Sequence, residues 1–297
     1  MRLHGLFVPL LTALARSGEI DPGAIRGHVE RMLAGGVDGL VALGTTGEFA
    51  DLLPQERAQV VGAVVDACAG RAPVLAGVGA VGAAEACEHA RTAADAGADA
   101  VLVLPPLYWK LSGDGLVRHY AAVCAATSLP VVLYDFPALT GSPLLPPLVE
   151  RLVRELDQVV GVKLSGPELR TLHEVARRTH PHRPDFSVLV GSADLVLPAL
   201  LGGADGTIAA LANVDPAPFV RLLAAVAAGD LDAARREHDR VLALMAIPAL
   251  ARPPILALKA AARALGSPIE PVVRTAPDHA QAVPHRAAAL AVELLAP

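Results

Sequence analysis

Short runs of almost uninterrupted apolar residues alternate with longer stretches of helical periodicity, eight times over, and this rhythm limits the chain to very few folds. The runs are Leu6–Pro9, Gly39–Leu43, Pro73–Gly77, Ala100–Leu104, Val131–Tyr134, Val159–Lys163, Ser187–Val190 and Gly206–Ala209. Between them lie Pro22–Ala34, Pro54–Ala69, Ala83–Ala96, Asp114–Ala126, Pro146–Glu155, Pro167–Arg178 and Ala193–Leu201. A strand that is apolar on both faces must be covered on both faces. Strands separated by helices run parallel, because the chain needs a crossover to return to the same edge.

The unit also repeats in detail. Ala34-Gly-Gly-Val-Asp-Gly-Leu-Val, Ala96-Gly-Ala-Asp-Ala-Val-Leu-Val and Leu201-Gly-Gly-Ala-Asp-Gly-Thr-Ile share one grammar. A glycine closes the helix in a left-handed cap, a short turn follows, and a buried strand begins. Such repeats suit a closed barrel and an open doubly wound sheet alike. Eight strands, with no Gly-x-Gly-x-x-Gly after the first, favour the (β/α)8 or TIM barrel. After about Asn213 the strands stop, and Pro216–Gly229, Leu231–Met245, Pro254–Leu265 and Gln281–Leu295 follow as helical patterns. The expected organisation is a barrel over residues 1–213 and a C-terminal helical region over 214–297, with packing or oligomerisation as the default role of the tail.

Composition narrows the partners. At 53% hydrophobic and 19% charged residues the chain can bury a large core. A net charge of -5 argues against nucleic acid and anionic membrane surfaces. No apolar run is long enough and free enough of breakers to span a bilayer. The apolar opening is interrupted by Pro9 and lacks a small-residue cleavage pattern, so it is expected to form a first buried strand rather than a signal segment. Cys68, Cys87 and Cys124 form no Cys-x-x-Cys pair and sit in Ala/Val-rich helical stretches, which suggests plain thiols in a reducing cytoplasm.

In a barrel of this kind the reacting groups sit at the C-terminal ends of the strands. Three lysines stand against twenty-two arginines. Arginine does not lose its proton at working pH, whereas lysine can. Lys163 closes an apolar strand. It fits either a cap at the solvent edge or an amine held in the barrel mouth, where a neutral amine attacks a ketone. Lys110 falls in a loop and is expected to be exposed, and Lys259 falls mid-helix in the tail, where a structural role is expected. Tyr134 ends the neighbouring strand; a phenol there is either a rim aromatic or a proton carrier. Tyr108 also falls near a strand end, while Tyr120 belongs to a helix. Gly44-Thr-Thr-Gly offers free N–H groups and hydroxyls suited to a carboxylate or phosphate. Glu48 fits an acid/base role or a supporting hydrogen bond. His180-Pro-His182 lies in a Pro/Arg-rich loop with no evident third metal ligand.

Taken together, Gly44-Thr-Thr-Gly-Glu48, Tyr134-x-x-Pro-x-x-Thr-Gly141 and Gly161-Val-Lys163 resemble the dihydrodipicolinate synthase / N-acetylneuraminate lyase family of pyruvate-dependent aldolases. The resemblance runs from the first strand to about Pro271. It implies that Lys163 forms a Schiff base with pyruvate and that Tyr134 shuttles protons beside the imine. Thr45 would link Tyr134 to Tyr108, the latter reaching in from a neighbouring subunit of a homotetramer built as a dimer of dimers. The backbone around Thr45 and Thr46 would hold the pyruvate carboxylate, and Gly191 and Ile208 would line the pocket. No metal and no organic cofactor is needed, since a protonated imine is itself the electron sink.

Departures from the family pattern bear on the second substrate, a small aldehyde or 2-keto acid. Dihydrodipicolinate synthases carry an arginine where this chain has Leu139, and a buried apolar side chain there cannot pair with a carboxylate. Sialic-acid lyases use acidic residues where Ser192-Ala193 stand. Leu107, Asp135 and Leu164-Ser165 also depart. The segments Leu107–Ser112 and Asp135–Thr140 look closest to the branch that cleaves 2-keto-3-deoxy sugar acids, so that reaction is expected. The alternatives are 4-hydroxy-tetrahydrodipicolinate synthase, an imine-dependent dehydratase, a metal-dependent aldolase and a catalytically silent barrel.

Overall fold

The computed structural model describes residues 1–277 and 280–295. Eight parallel strands close into a barrel in sequence order: β1 Gly5–Pro9, β2 Gly39–Ala42, β3 Val74–Gly77, β4 Ala100–Val103, β5 Val131–Asp135, β6 Val159–Leu164, β7 Ser187–Val190 and β8 Gly206–Ile208. Each agrees with the expected run to within one residue at either end. Gly5 pairs with Gly206 where the barrel closes. A Cβ on Gly206 would collide with the Gly5 backbone, so the seam needs a residue without a side chain.

The repeated Gly/Asp grammar has a structural cause. Gly36, Gly97 and Gly203 all adopt positive φ after their helices, the left-handed conformation glycine enters at little cost. Asp38, Asp99 and Asp205 then accept the N–H of Leu6, Val74 and Val188 through their side chains, at 2.7, 2.8 and 2.9 Å. Each donor begins or nearly begins a neighbouring strand. The aspartates therefore satisfy strand-end groups at the N-terminal rim that would otherwise lack partners.

The helices that cover the barrel are α1 Pro22–Ala34, α2 Pro54–Cys68, α3 Ala83–Asp95, α4 Gly113–Ala126, α5 Pro137–Thr140, α6 Pro146–Glu155, α7 Leu169–Thr179 and α8 Val196–Leu201. Several start where sequence rules place a helix start. Asp21 accepts from Ala24 N–H before α1, Ser112 accepts from Gly115 N–H before α4, and proline opens α1, α2 and α6. The one-turn α5 is too short for periodicity to reveal. The stretch expected as one helix from Ala193 is a 3-10 turn over Ala193–Leu195 running into α8. Beyond β8 come α9 Ala217–Ala227, α10 Leu231–Leu244, α11 Ile255–Ala264 and α12 Val283–Leu294. Helix α9 packs against β1 and α8, α10 packs on α9, and α11 packs against α12. No helix among the described residues is long and apolar enough to cross a membrane.

Candidate active site

The ladder between β5 and β6 sets Tyr134 directly opposite Lys163. Both side chains line a cavity of about 770 Å³ at the C-terminal mouth of the barrel, within the range usual for small-molecule sites. Lys163 is only 5% exposed. Its Nζ lies 4.2 Å from the centroid of the Tyr134 ring, close enough for the ring to attract a cationic nitrogen. The Tyr134 hydroxyl is 3.3 Å from Thr45 Oγ1, with either group able to donate.

Thr45–Gly47 forms a 3-10 turn whose hydrogen bond runs from Gly47 N–H to Gly44 O at 2.9 Å. The first N–H groups of a helical turn have no partner within it, so those of Thr45 and Thr46 are free to meet an anion. Thr12 Oγ1 donates to Gly47 O at 2.7 Å and pins the turn. Leu43 and Glu48 flank it in the left-handed region, with φ of 57° and 55°, a conformation that costs a non-glycine residue free energy and needs support from its surroundings.

That support comes from the tail. The Glu48 Oε1 atom lies 2.5 Å from Lys259 Nζ, and Lys259 is 0% exposed. The same ammonium donates to Val272 O at 2.6 Å. Burial lowers the Lys259 pKa, and the Glu48 charge opposes that shift only in part. Arg274 extends the clamp: its guanidinium pairs with Glu56 and donates to Asp51 O at 2.7 Å, and its backbone N–H donates to Glu48 Oε2 at 3.4 Å. Lys259 is structural, as its mid-helix position implies, and what it holds through Glu48 is the Thr45–Gly47 turn at the cavity. Sequence reasoning missed this link. The signal was the scarcity of lysine, which applied to Lys259 as much as to Lys163.

The remaining site residues divide. Thr46, Gly191 and Ile208 all line the cavity with Lys163. A Cβ on Gly191 would strike Ser165 Oγ and come within 3.0 Å of Lys163 Cε, so glycine leaves room for the lysine. Tyr108 is not brought to the site within this chain. It is 72% exposed and packs edge-on against Trp109, 5.0 Å between ring centroids. Leu139 lines the cavity, yet it is 58% exposed rather than buried, because α5 presents it at the lip. Pro248, Pro254, Ile255, Leu258 and Thr275 complete the wall, so the tail helps enclose the site. Lys110 is exposed in its loop. His180 and His182 lie near Asp205 and Glu150. Asp205 caps the start of β7, so His180 belongs to the end of the barrel opposite Lys163.

A buried lysine beside a hydroxyl pair and a turn with free N–H groups, in the mouth of a (β/α)8 barrel, is an arrangement suited to a small molecule that carries a carbonyl and a carboxylate. Comparison with known proteins agrees. The model of the dihydrodipicolinate synthetase family matches residues 2–283. The chain is 35% identical over 268 residues to the Escherichia coli protein YagE, provisionally named a 2-dehydro-3-deoxy-D-gluconate aldolase, covering 89% of this chain and 88% of YagE. It is 37% identical over 241 residues to a 4-hydroxy-tetrahydrodipicolinate synthase of Oleidesulfovibrio alaskensis, covering 81% of each. The crystal structure of YagE in complex with pyruvate superposes with a TM-score of 0.94 at 32% identity, over 98% of both chains. The chain belongs to the dihydrodipicolinate synthetase family.

Proposed function

We propose that the chain is a class I aldolase that forms a Schiff base through Lys163 and cleaves a 2-keto-3-deoxy sugar acid to pyruvate and an aldehyde, or runs the reverse condensation. The observation that carries this reading is the Lys163 amine held over the Tyr134 ring, with Tyr134 joined to Thr45. The pyruvate complex of YagE and the keto-deoxy acid named for that relative support it.

In this reading the substrate carboxylate binds the free N–H groups of Thr45 and Thr46, which brings its ketone to Lys163. The amine adds to the carbonyl carbon, and loss of water gives a protonated imine. Tyr134 supplies and removes the protons, with Thr45 as its hydrogen-bonded partner. The imine draws the electron pair of the breaking C3–C4 bond, the C4 hydroxyl gives up its proton, and the aldehyde departs. The enamine left on Lys163 takes a proton at C3, and hydrolysis frees pyruvate. Exposed Tyr108 and Trp109 at the rim suit a homotetramer in which Tyr108 completes a neighbour's relay. Three free cysteines suit a cytoplasmic setting.

Borohydride reduction in the presence of pyruvate tests the core of the proposal. It should inactivate the enzyme and add a reduced pyruvyl group to the peptide that carries Lys163. Label on Lys110 or Lys259 alone refutes it.

A further inference from the structure

Behind the wall of β5, β6 and β7, on the outer side of the barrel, lies a second cavity of about 290 Å³. This is near the small end of the range for small-molecule sites. It lies outside the mouth and shares no lining residue with it. Leu144, Leu164, Leu169, Leu172, Val190 and Leu195 make it mainly apolar.

Its deeply buried ionisable group is Asp135, which is 4% exposed. Asp135 Oδ1 accepts the Leu144 N–H at 2.9 Å. Oδ2 accepts no hydrogen bond, and the carboxyl has no ion-pair partner, among the described residues. Among the described residues the other ionisable group of the lining is Glu168, and no lysine or arginine takes part in it. Burial pushes the Asp135 carboxyl up to about 6, so near neutral pH the cavity still holds a largely ionised carboxylate. Oδ2 opens onto the cavity rather than being sealed in the protein, so a donor or cation entering there meets a carboxylate that has no charge partner.

We propose that this cavity is a binding site for a small primary organic ammonium with a compact apolar body, seated with its ammonium on Asp135 Oδ2 and its hydrocarbon against the leucines. A carboxylate ligand would meet Asp135 and Glu168 as like charges. A neutral hydrocarbon would fill the space and leave Asp135 unpaired. An ammonium does both tasks, because a charge-assisted hydrogen bond is stronger than a neutral one.

The test uses the full chain and calorimetric titration with cyclohexylammonium, cyclohexanol and cyclohexanecarboxylate as probes. Cyclohexylammonium should bind one to one, at least tenfold tighter than either comparator. Prior reduction of the Lys163–pyruvate adduct, which caps the Lys163 amine in the mouth, should leave this binding unchanged. Asp135→Asn keeps the side-chain size and an acceptor for Leu144 N–H, and should weaken binding at least tenfold. Leu195→Phe, which places a ring in the cavity from a half-buried position, should abolish it. Equal affinity for cyclohexanol, loss of binding on capping Lys163, or full affinity in either folded variant overturns the proposal.

Discussion

Lys259→Met is the substitution whose consequences the structure specifies most fully. The new side chain is similar in length and apolar, so the packing of α11 is largely kept. The Glu48 carboxylate, 6% exposed at its side chain, loses a cation at 2.5 Å. Breaking one side of a buried ion pair costs about 3–5 kcal/mol, because the remaining charge is left uncompensated. For a chain of this size that corresponds to a fall in melting temperature of roughly 5–8 °C. The direction of the Lys259 shift gives a second arm. Burial outweighs the attraction of Glu48, so the pair is not a large net source of stability, and removing both charges should be milder than removing one. Glu48→Gln combined with Lys259→Met should therefore recover at least about 1–2 kcal/mol relative to Lys259→Met alone. The functional arm concerns Thr45 and Thr46. With Glu48 unclamped, the turn loses its support, and the KM for the keto acid should rise more than kcat falls. Urea unfolding and steady-state kinetics measure both arms. A single variant destabilised by under about 1 kcal/mol, or a double variant as unstable as the sum of the singles, would refute the argument.

Three further outcomes are expected. Tyr134→Phe keeps the ring and removes the hydroxyl, so kcat should fall by about 10²–10⁴, while near-normal turnover in steady-state assays would return Tyr134 to a packing role. Asp135 has its pKa raised from 3.8 to about 6 by burial, so its contribution to stability is present below its unfolded pKa and lost as pH rises through 6. Asp135→Asn should thus gain on the wild type by roughly 2–3 kcal/mol between about pH 4 and about pH 8, measured by denaturant unfolding at both, and a flat difference would contradict the assignment. Pyruvate should condense weakly with aspartate semialdehyde, and Leu139→Arg should improve its kcat/KM by no more than about fivefold, since the lip position is exposed and a charge pair there is screened by solvent; a higher kcat/KM for aspartate semialdehyde than for every sugar acid tested would favour the synthase reading.

Much of the barrel was legible because parallel strands buried on both faces leave near-continuous apolar runs, a signal that survives without any alignment. The Gly/Asp repeats were visible as a pattern, although only the hydrogen bonds from Leu6, Val74 and Val188 show why the aspartates are there. Lys163 and Tyr134 could be singled out because each ends an apolar run in the sequence, one residue before its strand ends in the structure. Less could be read where one residue depends on distant ones. Nothing local in α11 says that Lys259 reaches Glu48, two hundred residues earlier in the chain. Nor does the tail sequence announce that Ile255 and Leu258 wall the site. Helix α5 and the 3-10 turns span three or four residues, too few for a period. The exposure of Leu139 follows from α5, so the expectation of burial failed along with the unseen helix.

The most consequential feature that no pattern announced is a register shift. Val131 pairs with Val159, yet Val132 pairs with Gly161, so Val160 is an extra residue in β6. Continued without that bulge, the ladder would have set Tyr134 beside Val162 and Asp135 beside Lys163. Because side chains alternate faces along a strand, a slip of one residue exchanges the inner set for the outer set. The bulge restores the pairing of Tyr134 with Lys163 and of Asp135 with Leu164. The first pair then faces the mouth, and the second faces the leucine-lined cavity behind the wall. Bulges of this kind re-aim side chains next to functional sites. Here one inserted valine decides which of two adjacent residues, a phenol or a carboxyl, meets the amine of Lys163.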